Sequence, residues 1–68
     1  MTEVFFVVEE ALEGGLTARA LGESIFTEAE TLEELRLKVK DAVECHFDAA
    51  NMPKLIRLHM VKEEVIAV

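Results

Sequence analysis

Cys45 and His46 stand side by side, a soft thiol next to an imidazole. A metal centre or an activated nucleophile would use such a pair. On a helix, adjacent residues point about 100° apart, so the two chelate one ion poorly. Zinc takes about four ligands, and His59 is the one further imidazole or thiol in the chain. No base is placed in sequence to activate Cys45. The thiol reads instead as a small helix-surface residue or an interface contact, and His46 as a ring closing an apolar stripe with its edge in water.

The carboxylates are the next candidates. Metal-assisted hydrolysis of a phosphodiester needs several of them converging on Mg²⁺. The centre of the first apolar run, Phe5-Phe6-Val7, offers none. Glu9 and Glu10 follow that run, Asp41 and Asp48 lie in a helical stretch, and Glu63 and Glu64 come later. Their spacing forces none of them together, so solvated charge is the expectation. Gly14-Gly15 lacks the helix-opening Lys of a phosphate-binding loop and reads as a turn. Arg19, Lys54 and Arg57 can share a sheet face, but basic residues are too few for a nucleic-acid path. The chain is expected to be no enzyme, with no catalytic, cofactor-binding or metal-binding residue.

The elements that position these groups follow from local pattern. Thr31-Leu32-Glu33-Glu34-Leu35 is a helix start. The Thr31 hydroxyl can cap, and Glu34 three residues on can reach back to the Thr31 amide, making a capping box. Leu32, Leu35, Val39, Ala42, Val43, His46 and Phe47 recur at spacings of three and four and form one face. The helix is expected from Leu32 to about Ala50, where Asn51 can take a left-handed C′ conformation and Pro53 bars continuation.

Before the helix the chain reads as strand. Val4 to Val8 is a continuous apolar run of β-branched and aromatic residues, which predicts a central strand covered on both faces. Glu13-Gly14-Gly15 is a turn. Leu16 to Leu21 alternates Leu16/Ala18/Ala20 with Thr17/Arg19/Leu21, and Gly22-Glu23 fits a two-residue hairpin leading to a strand from Ser24 to Ala29. Phe5, Phe6, Phe26 and Phe47 read as core. After Pro53, Leu55/Arg57/His59/Val61 alternate with Ile56/Leu58/Met60. Lys62-Glu63-Glu64 is a polar break, and Val65 to Val68 either folds back as a hairpin strand or pairs with another subunit.

Short connections make the first three strands antiparallel. A right-handed crossover through the helix sets the fourth beside and parallel to the first. The expected fold is α+β, a two-layer β-β-β-α-β(-β) arrangement in one domain spanning residues 1–68, with the helix on one sheet face. The other face keeps its share of Val, Phe and Leu, and a second subunit is the simplest cover.

Composition narrows the partners. The chain has 68 residues, is 51% hydrophobic and carries a net charge of −7. So acidic a chain is a poor ligand for nucleic-acid backbone. Its charge suits a basic protein partner, or simply keeps an apolar small protein soluble. No run reaches the ~20 apolar residues of a membrane span. Met1-Thr2-Glu3 lacks the basic start of a signal peptide. One cysteine allows no internal disulfide framework, which fits the cytoplasm. Glu9, Glu10 and Glu13, with an exposed strand edge, are the candidate partner-binding residues; Val65, Ile66 and Val68 are the candidate oligomer interface.

Three stretches together resemble the HicB-like antitoxin family: the opening strand Glu3 to Val8, the turn and strand Gly14-Gly15-Leu16-Thr17-Ala18, and the third strand leading into Glu30-Thr31-Leu32-Glu33-Glu34-Leu35. Val39-Lys40-Asp41-Ala42-Val43 continues the likeness along the helix, so it covers roughly residues 3 to 48. The resemblance implies a partly degraded ribonuclease-H-like arrangement. It also implies a noncatalytic role, binding and blocking a small basic HicA-type toxin that cleaves mRNA. Two departures stand out. The family's Pro- and Gly-containing loop between the second and third strands is replaced by Gly22-Glu23, and the C-terminal DNA-binding segment of many members is expected to be missing. The likeness is therefore to truncated, stand-alone members. Two functions follow: an antitoxin-like binding module, or an orphan structural module that self-assembles as a dimer or tetramer.

The helix reading predicts two stability effects, both measurable by chemical denaturation. Thr31→Ala should cost about 1 kcal/mol through the lost cap. Val39→Asp should prevent cooperative folding, because it buries an unpaired charge; an unchanged midpoint would refute the assigned helix face.

Overall fold

The structure is a computed structural model that describes residues 2–62 and 64–68. Its elements are β1 (Glu3–Glu10), β2 (Leu16–Ala20), β3 (Phe26–Ala29), α1 (Leu32–His46) and β4 (Leu55–Val61). The sheet order is β3-β2-β1-β4, with β1–β2 and β2–β3 antiparallel and β1–β4 parallel. The protein is α+β, with one helix on one face of a four-stranded mixed sheet, in the strand order that the right-handed crossover demands.

The core lies between α1 and that face. Val4, Phe6 and Val8 of β1, Ala18 and Ala20 of β2, Ile25 and Ala29 are buried against Leu35, Val39 and Val43. Leu16, Leu32, Ala42, Phe47, Met52, Ile56 and Leu58 pack around them, partly buried. Small Ala18 and Ala20 leave room for the helix to approach β2, while Phe6 fills the centre at 0% exposure.

The helix begins as its sequence dictates: the Thr31 hydroxyl accepts from the Glu34 amide at 3.1 Å. The other half of the capping box does not form. The Glu34 carboxylate turns instead to Lys38, one helical turn on, at 3.3 Å. The helix also ends sooner than expected, at His46, with Phe47 already extended at φ −100 and ψ 145. Asp48 is the reason. Its Oδ1 accepts from both the amide and the side-chain nitrogen of Asn51 at 2.9 Å, so residues 48–51 close their own turn. Asn51 is not left-handed, since among the described residues no non-glycine residue has positive φ.

The β2–β3 pair keeps the register that a Gly22-Glu23 turn imposes, with Arg19 opposite Phe26 and Leu16 opposite Ala29. The strands part earlier, however. The last rung is the Ala20 amide to the Ile25 carbonyl at 3.0 Å. Beyond it the Leu21 amide turns to the Phe5 carbonyl of β1 at 2.9 Å, and Glu23 leaves to meet His46 at 3.0 Å.

Central β1 is covered on one face only. Phe5 is 44% and Phe26 63% exposed on the opposite face, so neither is core. Among the described residues α1 is the single helix that can lie on the sheet, and Phe6 alone of the strand aromatics faces it. Residues 64–68 form no strand, so the hairpin return is absent; Lys62-Glu63-Glu64 contains no Gly, Asn or Pro to reverse the chain. Glu63, the middle of that polar break, and Met1 lie outside the described residues.

Gly15 joins the hairpin to the helix entrance. Its φ is +80, and an added Cβ would sit 2.8 Å from the Ala29 carbonyl oxygen. Gly15→Ala should therefore destabilise by about 1–3 kcal/mol, from a left-handed backbone and the clash together. Gly14 also has positive φ but faces open space, so Gly14→Ala should cost less. Equal loss in urea melts of the two variants would contradict this account.

Candidate protein-binding surface

The chemistry-bearing residues sort onto separate surfaces. Cys45 is exposed on the helix. His46 points the other way, its Nε2 3.0 Å from Glu23 Oε1 and its ring edge-on to Phe47 at 4.9 Å. The imidazole thus ties the helix end to the β2–β3 loop, a partnership across 23 residues of chain that no local pattern announces. Among the described residues, no group of three or more His, Cys, Asp or Glu is arranged to hold a metal ion. Among them, too, no helix is long and apolar enough to cross a membrane.

The basic residues do not gather. Arg57 gives its Nη2 and Nε to Glu3 Oε1 at 2.8 and 3.0 Å and lies 5.8 Å over the Phe5 ring. The hydrogen bond and charge of Glu3 raise the Arg57 pKa above its already high value. Arg19 reaches Glu9 at 4.0 Å. Both arginines lie on the open face, but Lys54 lines a separate cleft with Lys40, Met52 and Pro53 near the helix C-terminus.

Carboxylates do gather, at the end of the sheet where β1 turns into β2. The turn is closed by the Ala11 amide to the Gly15 carbonyl and the Gly14 amide to the Ala11 carbonyl, each 3.1 Å. Glu9 and Glu10 line a cleft of about 390 Å³ with Leu12, Val61 and Val65. Glu13 lines a second, of about 350 Å³, with Glu28, Glu30, Glu34 and Lys38. The clefts share Ala11. Lys38 donates to the Glu28 carbonyl at 3.1 Å as well as pairing with Glu34, which stitches the helix to β3. Net charge and the family resemblance point to Glu9, Glu10 and Glu13 at the first hairpin; the fold adds Glu28, Glu30 and Glu34 to the lining beside Glu13. It also sets Val65, a candidate interface residue, beside Glu9 and Glu10, while exposed Ile66 and Val68 line neither cleft.

Beside the acidic end lies the open sheet face. Its rungs run Phe26–Arg19–Val7–His59 and Glu28–Thr17–Glu9–Val61 from β3 to β4, with Phe5 beside Arg57 in the rung below. Apolar side chains thus sit in the middle of the face, with charges around and between them.

A UPF0150 protein of Archaeoglobus fulgidus is 64% identical to this chain over 52 residues, 76% of this chain and 77% of that protein. A UPF0150 protein of Thermotoga maritima is 42% identical over 66 residues, 97% of this chain and 93% of that protein. No family model matches the chain. No solved structure matches it.

The His46–Glu23 contact is half-exposed, so its expected strength is modest. A double-mutant cycle with His46→Ala and Glu23→Ala should return a coupling of about 0.2–1 kcal/mol in thermal unfolding. No measurable coupling would mean that the helix end is held by Phe47 packing alone.

Proposed function

We propose that the chain, which belongs to the UPF0150 protein family, is a HicB-like, noncatalytic protein that binds and masks a small basic protein of the HicA mRNA-cleaving toxin type. One observation carries this reading. Six glutamates, Glu9, Glu10, Glu13, Glu28, Glu30 and Glu34, line two adjoining clefts, in which Lys38 is the one cation among the described residues. Like charges converging on concave surface focus a negative potential, which draws a cationic partner and speeds encounter. Charge alone gives little lasting affinity. The adjoining Val7 and Phe26 can supply the desolvated contacts that hold a complex once formed. The same negative potential disfavours nucleic-acid backbone, so the reading has the protein act on the toxin and not on its RNA. It places the protein in a reducing cytoplasm, where Cys45 stays a thiol.

The test is affinity capture of the tagged protein from its native cells, with mass spectrometry and rebinding of the purified partner. The expected result is a stoichiometric small basic protein with RNase activity that this chain suppresses. Its association should slow by about tenfold or more when Glu9, Glu10 and Glu13 are changed to Lys, and should slow with added salt. Recovery of the bait alone, or association indifferent to charge reversal and salt, would refute the reading.

A further inference from the structure

The last strand carries charge of the opposite sign to the rest of the chain. Lys54, Arg57 and Lys62 lie in residues 54–62, a stretch with no Asp or Glu. That stretch holds +3 in a chain of net charge −7, so the remainder holds −7 − 3 = −10. It is also a sheet edge, since the strand order ends at β4. The Leu55 amide turns inward to the Thr2 carbonyl at 3.1 Å. Alternation then turns the backbone groups of Ile56, Leu58 and Met60 outward. No proline or glycine interrupts β4. The register with Val4, Phe6 and Val8 puts the side chains of Ile56, Leu58 and Met60 on the helix side of the sheet. There α1 packs chiefly on β3 and β2, so cover thins toward β4 and Met60 is half exposed.

A cleft of about 320 Å³ opens between the start of β4 and the C-terminal half of α1. Val43, Met52, Pro53 and Ile56 give it apolar walls. Lys40 and Lys54 flank it, against the single carboxylate of Glu44 among the described residues. Neither lysine has an ion-pair partner among those residues. The two clefts at the far end of the sheet have the reverse balance, with carboxylates in excess.

We propose that the β4 edge and this cleft take an extended acidic segment of a partner protein. The segment adds a strand beside β4 through the outward backbone groups, sets an apolar side chain into the cleft, and offers carboxylates to Lys40 and Lys54. Main-chain hydrogen bonds give such a strand its affinity, and a pocket for one of its side chains gives selectivity. Charge decides the occupant. Two β4 edges paired in register set cation against cation whichever way they run, which disfavours a second copy. Lysines on a sheet edge block self-pairing in this way. Nucleic-acid backbone meets the −10 of the remaining chain. An acidic peptide strand meets its opposite charge at the edge and keeps its backbone paired. This partner is opposite in charge to the basic toxin proposed above and binds at the other end of the sheet, where Leu55 lies beside Glu3. The two readings therefore stand or fall separately.

The probe is a synthetic peptide in which valine, tryptophan and valine alternate with threonine between terminal glutamates. The chain has no tryptophan, so the peptide's emission alone reports entry into an apolar site. Titration with the full chain should give saturable binding and a blue shift. Lys40→Glu and Lys54→Glu should each weaken binding about tenfold or more. Both side chains are exposed, and circular dichroism should show both variants folded as the parent is. Arg19→Glu makes the same change of charge on the open sheet face and should bind as the parent does. A peptide with lysines in place of its glutamates, or with N-methyl groups on the amides of its pairing edge, should also bind about tenfold or more weakly. No binding to the parent would overturn the proposal. So would an equal loss in Arg19→Glu, or equal binding of the lysine peptide. Binding kept by the N-methylated peptide would overturn it in favour of a cleft for small amphipathic anions. A parent dimer in sedimentation velocity that Lys54→Glu dissolves would overturn it in favour of a second copy.

Discussion

Everything in this molecule leans on the burial of one side of β1. Val4, Phe6 and Val8 meet Leu35, Val39 and Val43 of the helix, while the strand's backbone is paired to β2 on one side and β4 on the other. Burial of apolar surface contributes roughly 25 cal/mol per Å², and among the described residues no polar or charged residue is buried to oppose it. The order of the strands and the seat of the helix are consequences of that row. The hairpin leaving β1 brings Gly15 so near the Ala29 carbonyl that an added Cβ would sit 2.8 Å from it, and the cleft lined by Glu13 lies at that approach.

A single helix can cover only one side of a four-stranded sheet. The other side keeps Phe5, Val7 and Phe26 in partial contact with water, held apart by Arg57–Glu3 and Arg19–Glu9. Such a surface is kept soluble by its charges and remains adhesive at its centre. The carboxylate clefts lie at the end of the same sheet. Recognition by this protein would therefore combine a charged rim that steers and an apolar middle that retains.

The elements whose signal is local were legible in the chain. Thr31 and Glu34 announce the helix start, the spacing of Leu35, Val39 and Val43 announces its buried face, and alternation gives β2 and β3 their register. What escaped depends on competition between neighbours or on distance. Asp48 outbids the helix for Asn51, which Pro53 alone cannot foretell. Glu34 prefers Lys38 to the Thr31 amide. The continuous run Val4–Val8 promises cover on both sides of β1, and only the helix count denies it. The gathering of Glu28, Glu30 and Glu34 with Glu13, and the pairing of Glu23 with His46, join residues that only the finished sheet brings together.

The parallel pairing of β1 with β4 also has a bearing on how the protein is made. Glu3 meets Leu55, so β1 waits until β4 has been made before its second edge is satisfied. At roughly 5–20 residues per second, the intervening 55 − 3 = 52 residues take several seconds. Throughout that interval Val4 to Val8 presents an apolar, half-paired strand to its surroundings. Distant pairings of this kind slow folding and lengthen exposure to aggregation. The fold thus sets a window in synthesis during which the nascent chain, and not the finished protein, is most in need of protection.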